Sequence, residues 1–185
     1  MRKILMCALI LVFVSATAFA NGGGAVQTRH GDLDGLNRDL CKKVSAKAKV
    51  HENGARFTVT AKGCKPGHVI TLWAFGFPDP TMPPAFILNC GGSVVLPNGK
   101  FKTICDVPRG TIENCDGCAQ VLAAGMLGNP KNMGFLIDML SHNELAPERA
   151  LSQIRTVNTC GDDMCETVTL IHFPPRSNDD DSDSD

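Results

Sequence analysis

The side chains richest in chemistry are two closely spaced cysteine pairs, in Cys115-Asp116-Gly117-Cys118 and in Cys160-Gly161-Asp162-Asp163-Met164-Cys165. A Cys-x-x-Cys at a helix start can serve as a redox dithiol, because the helix N-terminus stabilises the thiolate. The four cysteines also have the number and sulfur chemistry of a zinc ligand set, while His142, His172 and the methionines suit copper. A thioredoxin-like centre needs strands alternating with helices, whereas the chain around Cys115 and Cys118 reads as hairpins. Cys115, Cys118, His142 and His172 therefore define an alternative function, an extracytoplasmic thiol-redox or metal-binding protein. The leading reading makes the cysteines structural.

Other reaction classes lack their residues. Gly91-Gly92-Ser93-Val94-Val95 has Val95 where a nucleophile elbow needs its second glycine. His51-Glu52 opens a zinc-protease motif, but Ala55 stands where the second His belongs, and no phosphate-binding glycine loop occurs. A calcium loop aligned on Asp32, Asp34 and Gly35 would put Cys41 where a bidentate Glu is required. With no Tyr and a single Trp, the flat aromatic platforms that grip sugars are missing too. No catalytic residue, metal ligand or cofactor is assigned.

The elements that would position any site are strands. Ala55, Phe57, Val59 and Ala61 alternate with Arg56, Thr58, Thr60 and Lys62, a period of two that gives one dry face and one wet one. Pro66-Gly67 has the residues of a type II turn, where the chain reverses. From Val69 to Phe77 both alternating sets are mostly apolar, as in a central strand covered on both faces, so Trp73 is expected in the core. Upstream, Val44, Ala46, Ala48 and Val50 alternate with Lys43, Ser45, Lys47 and Lys49, and Asn53-Gly54 joins the two runs as a hairpin. The lysine row reads as a solvated edge strand guarded against further pairing, and no aromatic residues interleave with it as a nucleic-acid groove requires.

Downstream, Pro78, Pro80, Pro83 and Pro84 mark a loop, and Pro97-Asn98-Gly99 reads as a hairpin turn before a strand from Lys100 to Val107. Cys90 and Cys105 lie near the far ends of its arms, placed to bridge them. Gly110 to Asn132 has weak patterning and reads as loop. Met133 to Leu140 is a strand-length apolar run interrupted by Asp138, Pro147 to Ile154 has the start signals of a two-turn helix, and Glu166 to Phe173 alternates as a last strand.

Met1 to Ala20 has the layout of a cleavable export signal: Arg2 and Lys3, an apolar run from Ile4 to Val14, then small residues at Ala18 and Ala20. Its loss would take Cys7 with it and leave 16 Lys and Arg against 19 Asp and Glu, from 18 and 19 in the whole chain. Eight cysteines stay: Cys41, Cys64, Cys90, Cys105, Cys115, Cys118, Cys160 and Cys165, an even set expected to form four disulfides in an oxidising compartment. Ser177 to Asp185, with five Asp and nothing to bury, is expected to be a disordered acidic tail.

The run Val69 to Trp73 followed by Phe77-Pro78, Ser141-His142, Gln153-Ile154, the Cys160 to Cys165 turn and the closing strand with His172 and Pro174 together resemble a family of small secreted bacterial proteins of unassigned function. The similarity spans roughly residues 65–175 and implies export and a β-rich fold. Family members carry aromatic-rich and Asn-Pro segments after the Trp that are absent here. The expected organisation is a signal peptide (1–20), an irregular lead-in (21–40), one antiparallel, immunoglobulin-like β-sandwich with one short helix and disulfides (41–176), and the tail (177–185). The expected role is a non-catalytic interaction or structural module, secreted or periplasmic. Its partner would be a protein or cell-surface component and not nucleic acid, with no membrane span once the signal is gone.

Overall fold

The alternation that begins at Val44 becomes backbone geometry in the computed structural model, which describes residues 26–113, 121–146, 148, 150–155 and 165–175. The strands are β1 (Gln27–His30), β2 (Asp32–Asp34), β3 (Lys43–His51), β4 (Gly54–Lys62), β5 (His68–Phe77), β6 (Phe86–Val94), β7 (Phe101–Pro108), β8 (Gly110–Ile112), β9 (Val121–Ala123), β10 (Gly125–Leu127), β11 (Gly134–Glu144) and β12 (Glu166–Phe173). Helix α1 spans Ala150–Arg155. Every pairing is antiparallel. A four-stranded sheet in the order β1-β3-β4-β7 packs on a six-stranded sheet in the order β2-β12-β11-β5-β6-β9, and β8 pairs with β10 alone.

The two sheets meet through the faces the period of two selects. Val44, Ala46, Ala48 and Val50 of β3 and Ala55, Phe57, Val59 and Ala61 of β4 are all buried, while Lys43, Ser45, Lys47 and Lys49 are exposed. Phe57 packs its ring centroid 5.1 Å from Phe135 and 5.2 Å from Phe173. Such tilted ring pairs add to the roughly 2–3 kcal/mol that burying a Phe contributes. Across the interface stand Ile70, Leu72, Ala74, Ile137, Met139 and Ile171. Gly76 belongs to this packing: a Cβ there would sit 2.1 Å from the Phe86 ring, so the glycine marks a close approach.

Two local signals produce crossings between sheets where reversals within one sheet were expected. At Lys65–His68 the turn forms, with His68 N–H donating to Lys65 O at 3.4 Å and Gly67 at φ +82°, but it carries the chain from β4 in one sheet to β5 in the other. At Pro97-Asn98-Gly99 the turn also forms, with Gly99 N–H on Leu96 O at 2.9 Å. There β6 lies in the six-stranded sheet and β7 in the four-stranded one, so the arms do not pair. Cys64 N–H donates to Gly99 O at 3.1 Å, which ties the second turn to the first. Turn residues fix the chain's direction and leave open which neighbour completes the ladder.

The lead-in from residue 26 onward is also ordered. β1 adds to β3 through Gln27↔Val50 to His30↔Lys47, and β2 adds to β12. Periodicity is blind to β1 because its one buried side chain is Arg29. That guanidinium donates to Met133 O and Lys131 O, each at 2.6 Å, and to Gln27 Oε1 at 3.0 Å. The lysine strand β3 is therefore interior to its sheet and not an edge. The weakly patterned stretch after Gly110 holds β8, β9 and β10, each only three residues long and too short to show a period. Met1 to Ala20 and Ser177 to Asp185 lie outside the described residues. Among the described residues no helix is long and apolar enough to cross a membrane.

Candidate functional site

Two regions gather polar side chains, one buried and one open. The buried one lies on the far side of the six-stranded sheet, where β5 turns Thr71 and Trp73 away from the inter-sheet core and α1 packs over β5 and β6. Trp73 is 2% exposed, as a core residue should be, but it lies beneath α1 and not between the sheets. Asn89, opposite Trp73 on β6, donates to Ile154 O at 3.1 Å and accepts from Gly91 N–H at 2.5 Å. Gln153 of α1 donates to His142 O at 3.1 Å and Glu144 O at 3.0 Å, and accepts from Ala146 N–H at 2.9 Å. Two side-chain amides thus pin the helix to two strands.

His142 sits at the centre of this layer, fully buried. Its Nε2 lies 2.8 Å from Thr71 Oγ1 and its Nδ1 3.5 Å from Cys165 Sγ. Cys165 is disulfide-bonded, so its sulfur has no hydrogen to give. Nδ1 can only donate to that sulfur, and a proton there leaves Nε2 to accept from the Thr71 hydroxyl. Burial agrees, pushing the imidazole pKa down to about 4 and keeping the ring neutral. Asp138, opposite Trp73 on β11, is pushed up to about 6 by burial, against a smaller opposing effect of the Thr167 hydrogen bond. Asp138 Oδ1 and Trp73 Nε1 are both buried without a hydrogen-bond partner. Ser141 Oγ is 3.2 Å from His68 Nδ1, but Ser141 is 1% exposed and closed to any substrate. The arrangement ties α1 to the sheet, and among the described residues it exposes no reactive atom.

The sequence-predicted site residues separate. His172 is exposed on β12 opposite Leu136, six residues along β11 from His142, about 20 Å at strand rise. The two histidines therefore cannot share one ion. Cys115, Cys118 and Cys160 lie outside the described residues, as does the Cys115-to-Cys118 dithiol reading with them. Among the described residues no three His, Cys, Asp or Glu side chains gather at one point. Cys41 bonds to Cys64, joining the open ends of the β3–β4 hairpin, and Cys90 bonds to Cys105. Because β6 and β7 belong to different sheets, the second bridge staples the sandwich and not a hairpin.

The open region is the outer face of the four-stranded sheet. Lys43, Lys47 and Lys49 of β3, Lys62 of β4 and Lys102 of β7 are all exposed on it. The only acid on the strands of this face is Asp106, which Arg56 holds through two hydrogen bonds of 2.6 and 2.9 Å. Lys43 stands directly opposite Lys62, and Lys49 opposite Arg56. Like charges at such positions destabilise a sheet. Sequence reasoning found the β3 lysines but not their company, since Lys62 and Lys102 join them only through strand pairing. Asp138 was visible as the interruption of an apolar run, Gln153 entered only through the resemblance, and Asn89 carried no signal.

No protein-family model, curated protein or solved structure matches this chain.

Proposed function

We propose that this is an exported, disulfide-stabilised β-sandwich acting as a non-catalytic interaction module, which docks an anionic cell-surface polymer on the outer face of the β1-β3-β4-β7 sheet. The observation that carries this reading is the pairing of Lys43 with Lys62 on a face whose one acid is already taken by Arg56. A sheet selected for stability alone would place an acid at one of these positions. Edge protection does not account for the lysines, because β3 has a strand on each side. The export signal layout of Met1 to Ala20 and the resemblance to small secreted proteins support a secreted or periplasmic location, and the two disulfides are compatible with it.

The connectivity supports the finer, immunoglobulin-like assignment. β3, β4 and β7 correspond in order to strands A, B and E of such domains, and β12, β11, β5 and β6 to G, F, C and C′. The chain departs from antibody domains in bridging the sheets between β6 and β7 and in turning its strand-C Trp outward.

Retention on immobilised polygalacturonate, a carboxylated glycan, against neutral dextran tests the function. Binding should be selective for the charged matrix and fall steeply with salt, and Lys43→Gln/Lys47→Gln/Lys49→Gln should weaken it about tenfold. Equal retention on both matrices, or a triple variant that binds like the parent, would sink the reading. Thiol titration of the native protein separates it from the thiol-redox alternative: no free thiol is expected, and two or more would favour the dithiol.

A further inference from the structure

Above the Cys90–Cys105 bridge the sandwich is open at one side. β7 ends its sheet, and β9 covers β6 only at Ile87 and Leu88, so the upper part of β6 has no outer neighbour among the described residues. Between them lies a groove of about 460 Å³, within the size range of small-molecule sites. Val94, Leu96 and Phe101 give it a carbon lining, and Lys62, Lys100 and Lys102 stand around it with no acid among the lining residues. Leu96 is 55% exposed, unusual for a Leu with a core alongside. The lysine stems extend the apolar wall while their ammonium groups reach water.

We infer that this groove binds a single-chain anionic amphiphile, with the acyl chain along Val94, Leu96 and Phe101 and the carboxylate or phosphate head among Lys62, Lys100 and Lys102. Polarity is divided here between a carbon lining and a cationic rim, which matches a molecule divided the same way. The rival occupant, an acidic peptide added as a strand to β7, would pair along that strand's whole length. The groove takes in only Phe101 and Lys102 of β7. The inference rests on the reading of the lysine face as a docking surface, whose Lys62 and Lys102 it shares, and names the ligand chemistry at one end of it.

The test is calorimetric titration of the oxidised protein with dodecanoate below its micelle threshold, with acetate and dodecyl maltoside as head-only and uncharged-chain controls. Saturable single-site binding of dodecanoate is expected, and of neither control. Lys62→Gln/Lys100→Gln/Lys102→Gln should weaken it by about tenfold or more. Leu96→Asp, a change at an exposed position, should abolish it while the melting temperature and both bridges persist. Lys43→Gln/Lys47→Gln/Lys49→Gln, outside the groove, should leave dodecanoate binding within about twofold while weakening polygalacturonate retention, so the two proposals fail separately. Absence of saturable dodecanoate binding, an unaffected Leu96→Asp, or binding of polyglutamate peptide in place of dodecanoate would each overturn the inference.

Discussion

The outer faces of the two sheets begin from the same strand geometry and end in opposite conditions. On the four-stranded sheet the outward positions of β3 and β4 carry ammonium groups and hydroxyls in water, and nothing among the described residues covers them. On the six-stranded sheet the outward positions of β5 and β11 carry Thr71, Trp73 and His142, buried under α1 and tied down by Gln153 and Asn89. The difference teaches where polar residues serve stability and where stability does not account for them. In the covered layer most polar groups have a bond, as burial demands. On the open face like charges are set against each other, and Asp106, held by Arg56, is the one acid among its strands.

The largest test of this contrast is Trp73→Ala, which should destabilise by about 3–5 kcal/mol through lost burial and a residual cavity. Denaturant unfolding followed by circular dichroism reads it, and near-parental stability would show that the layer under α1 is not a second core. Next, Cys90→Ser/Cys105→Ser should cost about 3 kcal/mol, the loop-closure value for cysteines 15 residues apart. A loss well below that would mean the sheets hold together at their open side without the staple.

The pH dependence sharpens the comparison further, because it belongs to the covered layer. Asp138 has its folded pKa raised to about 6, so its contribution is full below its unfolded pKa near 4 and is lost as pH rises through 6. Asp138→Asn should therefore gain about 2 kcal/mol at pH 7 and little at pH 4. His142 runs the other way: its folded pKa near 4 gives stability that is present above about 6.5 and lost as pH falls towards 4. In the Asp138→Asn protein the His142 slope is left, with the burial-lowered pKa of His68 adding in the same direction, so unfolding midpoints should fall from pH 7 to 4. A flat profile in that variant would mean that His142 is not buried as described.

The smallest effect belongs to the open face. Lys43→Glu places an acid opposite Lys62 and should raise stability by about 0.2–1 kcal/mol while weakening polyanion retention. A variant that loses stability would indicate that the lysines already pair favourably, and the contrast between the faces would fail.

The sequence by itself determined the strands with long alternation and which of their sides is dry. β3 and β4 follow the period of two nearly residue for residue, because a pleated strand with one wet face leaves no other pattern, whereas β12 breaks it at a bulge where Val168 and Thr169 are both buried. It also determined that Trp73 is buried, since both faces of its strand are apolar. What only the tertiary structure decided is which sheet each strand joins. The turns at Lys65–His68 and Leu96–Lys100 have the same local chemistry whether the chain pairs back on itself or crosses over. Backbone donors and acceptors accept any suitably spaced neighbour, so packing of the whole core makes the choice. From that choice follow the inter-sheet bridge of Cys90 with Cys105, the five-lysine face and the groove at its end. Their members are up to 59 residues apart in sequence, from Lys43 to Lys102, and meet only because β3, β4 and β7 lie side by side.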